Sequence, residues 1–369
     1  MNTNSKNNQV IYFIITFLLV LFKYIECWSF LFTKEFFKSK VIIFTVILLL
    51  VLIVSNYKFD RSKFRRILIV GVLCLILTYL SKSIDFIVSF ALVILYSSIS
   101  NGEKSFLEDF MKSSGILFIL TLILSLIGIL PSFTITRNVG DKIITRYNLG
   151  FLGANSLFLF LYPIIVSFLV LNFNKQKKVR LIYGVTIILI SYLFYKYTNC
   201  RTGMLCIMLM TFTYLFKSIY KNRLFKGILK YHYLIFLIIA LVFTSKFNAF
   251  NNPINMMLSG RFYYWNFYVS NLKYTLFGIN PIEGIPLDNT YLYNYYFYGI
   301  ISYAICSIIS IIPFKSLKIS DEFYFSTFAL SIYGFFENNI SYVFSFLFFY
   351  QIYYIINYYN TKELNNNGR

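Results

Sequence analysis

Four arginines are the residues of this chain best suited to holding a charged ligand: Arg137, Arg146, Arg201 and Arg261. A guanidinium stays charged, and its planar fork can grip two phosphate oxygens at once. Carboxylates that could handle a proton are scarcer. Asp288 opens "DNTYLYNYYFYG" (288–299), and Glu337 stands in "GFFENNISYVF" (334–344) between two apolar runs. A carboxylate within reach of a hydroxyl can act as a general base. A helix cap or a solvated turn accounts for either residue equally well. The single histidine, His232, lies in "KYHYLIF" and reads as structural. No Asp-x-Asp pair occurs, so a divalent-metal clamp of that kind has no basis, and no cofactor or metal is expected.

Such residues need elements to hold them, and composition says which kind. Of 369 residues, 58% are hydrophobic and 13% charged, with mean hydropathy +0.68. Uninterrupted runs such as "VIIFTVILLLVLIV" (41–54) exclude the alternating pattern of a transmembrane barrel and predict membrane-spanning helices. The spacing predicts about twelve spans. They lie near 10–32, 41–57, 66–81, 84–99, 115–132, 151–172, 180–197, 203–219, 232–247, 291–313, 323–340 and 341–358. The chain therefore reads as an all-α polytopic membrane protein, one integral membrane domain over 1–369, lying in the cell membrane. The apolar N-terminal stretch reads as a first span rather than a cleaved leader. Cys27, Cys74, Cys200, Cys206 and Cys306 show no metal or disulfide spacing and read as apolar filling.

A formal charge of +20 suggests nucleic acid at first sight. The distribution argues otherwise. With the N-terminus inside, most Lys and Arg fall in the inner segments, as at 58–66, 175–180 and 217–230. That is the positive-inside bias, and it places both termini in the cytoplasm. Lys38 and Lys40, after the first run, go against it. The four arginines then face outward. Snorkelling to the headgroups accounts for any one of them; the four together suit a phosphate-bearing substrate. Two outer loops are long: about 133–150, and a large aromatic one, about 248–290, before the tenth span. The second is too aromatic for disorder, and short amphipathic helices at the outer interface are expected there.

Several stretches resemble the Wzy-type polysaccharide polymerases and the related O-antigen ligases. "RYNLGFLGANSLF" (146–158) is similar to the family's Arg, Leu-Gly-Phe and Asn at the mouth of a span. "NCRTGMLCIML" (199–209) resembles its Arg-Thr-Gly span opening. "SGRFYYW" (259–265) with "TLFGINP" (275–281) resembles the Gly-Arg, Trp and Leu-Phe-Gly run of the large outer loop. "DNTYLYNYYFYGIIS" (288–302) resembles the loop's exit, a polar pair followed by Gly299, whose missing side chain is expected to permit close helix packing. The ligase branch carries histidine in that pair; Asp288 here favours the polymerase branch.

The resemblance implies a GT-C-like helical fold and a metal-independent glycosyltransferase at the outer membrane face. It would join undecaprenyl-diphosphate-linked repeat units into capsular or other surface polysaccharide. Implied partners are those lipid-linked glycans, the bilayer, and the flippase and chain-length regulator of the same pathway, with no nucleic acid. Arg201 and Arg261 are assigned first to the negative charge on the leaving diphosphate, with Arg137 and Arg146 second. Asp288 or Glu337 would serve the acceptor hydroxyl. Asn155 and Asn289 are carried over as substrate-binding. Tyr263, Tyr264 and Trp265 could stack on sugars; interfacial anchoring accounts for two of the three. The alternatives are a lipid-linked oligosaccharide flippase, which would show internal repetition and mid-span charge, a ligase-like glycan transferase, and a membrane protein with structural arginines.

Overall fold

In lipid every backbone amide must be satisfied within the protein, and helices do this segment by segment. The fold is known from a computed structural model, which describes residues 3–28, 61–83, 85–99, 101–139, 142–246, 260–282, 284–315, 319–338 and 346–358. Among the described residues it is a mostly helical membrane protein with one two-stranded hairpin. Among the described residues, five helices are long and apolar enough to cross a membrane: Arg61–Ser81, Gly102–Leu126, Ala154–Leu171, Lys177–Thr198 and Thr290–Lys315. Arg223–Lys230 with His232–Ser245 makes a sixth if the pair, bent by 81°, is one span. The expected span at 41–57 lies outside the described residues.

The chain forms two compact units, one within 1–57 and 98–215, the other within 58–97 and 216–369. The first unit contains α1 (Thr3–Cys27), α4 (Gly102–Leu126), the hairpin β1 (Thr134–Val139) and β2 (Lys142–Tyr147), α5 (Ala154–Leu171), α6 (Lys177–Thr198) and α7 (Arg201–Leu215). α4 starts well before the expected 115, because its charged first turns remain helical while contributing nothing to hydropathy. α5 is central: Leu157, Phe158, Leu161 and Tyr162 are buried. α1 and α4 are tied together where Tyr24 OH donates to Ser114 O (2.9 Å) and Trp28 Nε1 to Thr121 Oγ1 (3.1 Å). α6 instead turns Leu181, Ile182, Val185, Leu189 and Leu193 outward, an apolar face that suits lipid. Gly203 in α7 presses on Phe158; a Cβ there would lie 2.6 Å from ring carbons.

The expected outer loop at 133–150 is an antiparallel hairpin, pairing Thr134 with Tyr147 and Arg137 with Ile144. Both strands, "TITRNV" and "KIITRY", are rich in β-branched residues, which favour extended backbone.

The second unit contains α2 (Arg61–Ser81), α3 (Asp85–Tyr96), α8 (Arg223–Lys230), α9 (His232–Lys246), α10 (Arg261–Asn271), α11 (Thr290–Tyr293), α12 (Gly299–Ile311), α13 (Asp321–Phe336) and α14 (Leu347–Tyr358). α14 is its centre: every residue from Leu347 to Ile356 is buried. Aromatic contacts hold it, with Tyr354 against Phe323 (4.4 Å) and Phe348 against Phe86 (4.9 Å). His232 is fully buried at the α8–α9 bend, with Nδ1 2.7 Å from Leu229 O, as a structural histidine would be.

α10 is the short helix expected in the large loop, and one face of it is buried through Phe262, Trp265 and Tyr268. The span Thr290–Lys315 is broken. A π turn (Asn294–Tyr298) follows α11, and Gly299 takes φ +87°. The loop segment "TLFGI" fills the break. Thr275 O accepts from Ile300 N–H (3.1 Å), Leu276 O from Ile301 N–H (3.3 Å), and Ile279 N–H donates to Tyr296 O (3.0 Å). Gly278, itself at φ +84°, meets Gly299 backbone to backbone. Gly299 therefore admits a loop strand and not a neighbouring helix, correcting the expectation from its sequence position.

Candidate functional site

The second unit gathers three ionisable residues that lie far apart in sequence. α10 begins at Arg261, after Gly260 at φ +78°. The guanidinium is 5% exposed and pairs with Glu337 through Nη2, while Asp288 Oδ2 lies 3.7 Å from the same nitrogen. Glu337 is 12% exposed and Asp288 37%. Arg261 is thus held by a part-buried carboxylate, with a second, more open carboxylate beside it. The trio carries one positive and two negative formal charges. That does not suit the diphosphate-holding role expected for Arg261.

The end of α13 supplies the frame. A helix C-terminus leaves orphan carbonyls that need donors. Here three successive ones are taken by side chains. Asn289 Nδ2 donates to Phe335 O (2.8 Å), Arg261 Nε to Phe336 O (2.8 Å) and Thr290 Oγ1 to Glu337 O (2.9 Å). Asn289 also caps α11: its Oδ1 accepts from Tyr291 N–H (3.0 Å) and Leu292 N–H (2.9 Å). It is fully buried, so its polar atoms hold the chain rather than face a ligand. Trp265 is also fully buried, against Phe262 (5.2 Å) and Phe335 (5.4 Å). A buried ring offers no face to a sugar, which removes it from the stacking role. Tyr264 is half-buried and Tyr263 exposed. Tyr268, absent from the sequence reading, ties α10 to the loop's return by donating to Ile285 O (2.6 Å). Burial pushes its phenol above the ordinary pKa and keeps it a donor.

The first unit holds the other arginines. Arg146, on β2, donates through Nε to Thr198 O (2.8 Å) and through Nη2 to Asn155 Oδ1 (2.6 Å). It thereby joins the hairpin to the start of α5 and the end of α6. Arg201 opens α7 three residues after Thr198, past Asn199 in the left-handed conformation (φ +48°). Arg146, Asn155 and the 198–201 link are therefore neighbours. Arg137 lies on β1, paired with Ile144.

The fold and these clusters define a polytopic helical membrane protein with fixed ionic groups at helix ends. Comparison of the chain with protein-family models, with characterised proteins and with solved structures finds no match.

Proposed function

We propose that the chain is a membrane glycosyltransferase of the polysaccharide-polymerase kind, acting at the outer face of the cell membrane on repeat units linked to undecaprenyl diphosphate. The observation that carries this is the Arg261–Glu337–Asp288 arrangement, in which a part-buried ion pair stands beside an open carboxylate at the exit of the large loop. Asp288 takes the proton of the acceptor hydroxyl as its oxygen bonds the anomeric carbon. The bond from that carbon to the lipid diphosphate breaks, and the diphosphate leaves with the electron pair. Fixed guanidiniums suit the charge that grows on the diphosphate, and Arg201, Arg146 and Arg137 keep the role that the resemblance implies for them. Arg261 passes from charge stabilisation to holding the carboxylates. About twelve spans, a GT-C-like arrangement, cytoplasmic termini, and a flippase and chain-length regulator as partners belong to the same proposal.

The test is polymerisation in vitro, with purified protein and synthetic lipid-linked repeat units. A ladder of products with release of lipid diphosphate supports the reading. Movement of the unit across the bilayer without chain growth overturns it in favour of a flippase.

A further inference from the structure

The loop after α10 presents Tyr274, Leu276 and Phe277 at 62, 57 and 66% exposure, with Lys273 exposed beside them. Burying such side chains is worth about 1.5–3 kcal/mol each, so three within four residues call for a cover. The contacts along α10 show where this tip lies. Arg261, in the first turn, meets Phe336 and Glu337. Trp265, one turn on, packs on Phe335. Tyr268, near the far end, reaches Tyr296 and Phe297. α10 therefore runs alongside α11 and the π turn, away from Asp288, and 275–279 pairs back along 296–301. The tip lies level with Gly299, roughly 14 Å along the span from Thr290 at the helical rise per residue.

Two further contacts give that level a meaning. Lys82, just past α2, reaches Asn280 Oδ1 through Nζ (3.5 Å). Phe86, in the first turn of α3, packs on Tyr298 (6.4 Å). α2 is one of the helices long and apolar enough to span. Taking α2 as a span puts its end at Ser81 at the bilayer surface, and the lipid-crossing part of Thr290–Lys315 then begins near Gly299.

We propose that Lys273–Phe277 is a membrane-seating surface. Tyr274, Leu276 and Phe277 enter the headgroup region at the end of α2, and Lys273 and Lys82 meet lipid phosphates there. Aromatic rings favour this zone, and lysines beside it favour anionic lipid. The Gly278–Gly299 contact fixes the tip's height. The Asp288 cluster is then held clear of the lipid surface. If the proposed function holds, that height suits a sugar hydroxyl rather than the diphosphate.

The test is independent of activity. Full-length Phe277→Trp and Tyr263→Trp are placed in nanodiscs of ordinary lipid and of lipid brominated near the headgroup. Trp28 and Trp265 of the parent are buried, and their emission is subtracted. Emission from position 277 should be roughly halved by brominated lipid and little affected by aqueous iodide, as for an interfacial ring. Position 263, on the first turn of α10, should show the reverse. Iodide quenching at 277 without bromolipid quenching overturns the proposal. So does equal bromolipid quenching at both positions, because α10 would then lie flat on the membrane.

Discussion

Replacing Arg261 with alanine is the most informative single change. Arg261 is 5% exposed and offsets Glu337 and, at 3.7 Å, Asp288. Its loss leaves two carboxylates facing each other and Phe336 O without its donor. Breaking a buried pair costs about 3–5 kcal/mol when the remaining charge has no substitute partner. Glu337→Ala is milder, because Asp288 remains beside the guanidinium; about 1–3 kcal/mol is expected. At about 2 °C per kcal/mol for a large domain, Arg261→Ala should lower Tm by roughly 6–10 °C and Glu337→Ala by roughly 2–6 °C. The double variant should lose less than the sum, since the two residues share one interaction. Thermal unfolding in detergent, followed by tryptophan emission, measures this directly, and Trp265 against Phe335 reports on the same corner. Equal losses from the two single changes, or strict additivity in the double, would refute the account of Arg261 as the shared counter-ion.

Asp288→Asn should leave Tm within about 1 °C and lower polymerisation by about 10²–10⁴-fold, because the amide keeps volume but cannot take a proton; a rate within a few-fold of wild type ends the base assignment. Arg201→Lys should weaken turnover at normal protein level, since lysine keeps the charge and loses the fork; unchanged product ladders would remove Arg201 from the site. Gly299→Ala should sharply reduce the yield of folded protein, because a Cβ there meets the backbone of Leu276 and Gly278 at φ +87°; normal yield and Tm would contradict the loop-filled break. Asn289→Asp should keep the α11 cap but lose the donor to Phe335 O, at about 1–3 kcal/mol, read as a lower Tm with the helix content by circular dichroism preserved.

What the sequence determined by itself is what repeats along the chain. Long apolar runs have one solution in lipid, so helices at 61–81, 154–171, 177–198 and 290–315 were legible to within a few residues or better, apart from charged end turns. Arg146, Asn155 and Arg201 each stand near the end of an apolar run, which the sequence shows; that Arg146 bonds Asn155 and Thr198 is decided by the fold. The hairpin's β-branched strands are present in the residues, but hydropathy alone shows only a polar break there. The tertiary structure alone decided how residues far apart in sequence use one another. The type of Trp265 suits a sugar platform, but Phe262 and Phe335 cover it. That of Arg261 suits phosphate, but Glu337, 76 residues away, takes its charge. That of Asn289 suits a substrate hydroxyl, but the orphan carbonyl at the end of α13 takes its amide. The physical reason is common to all three. Residue type and spacing set what a side chain can bond; only the approach of distant helix ends, with their unsatisfied donors and acceptors, sets what it does bond.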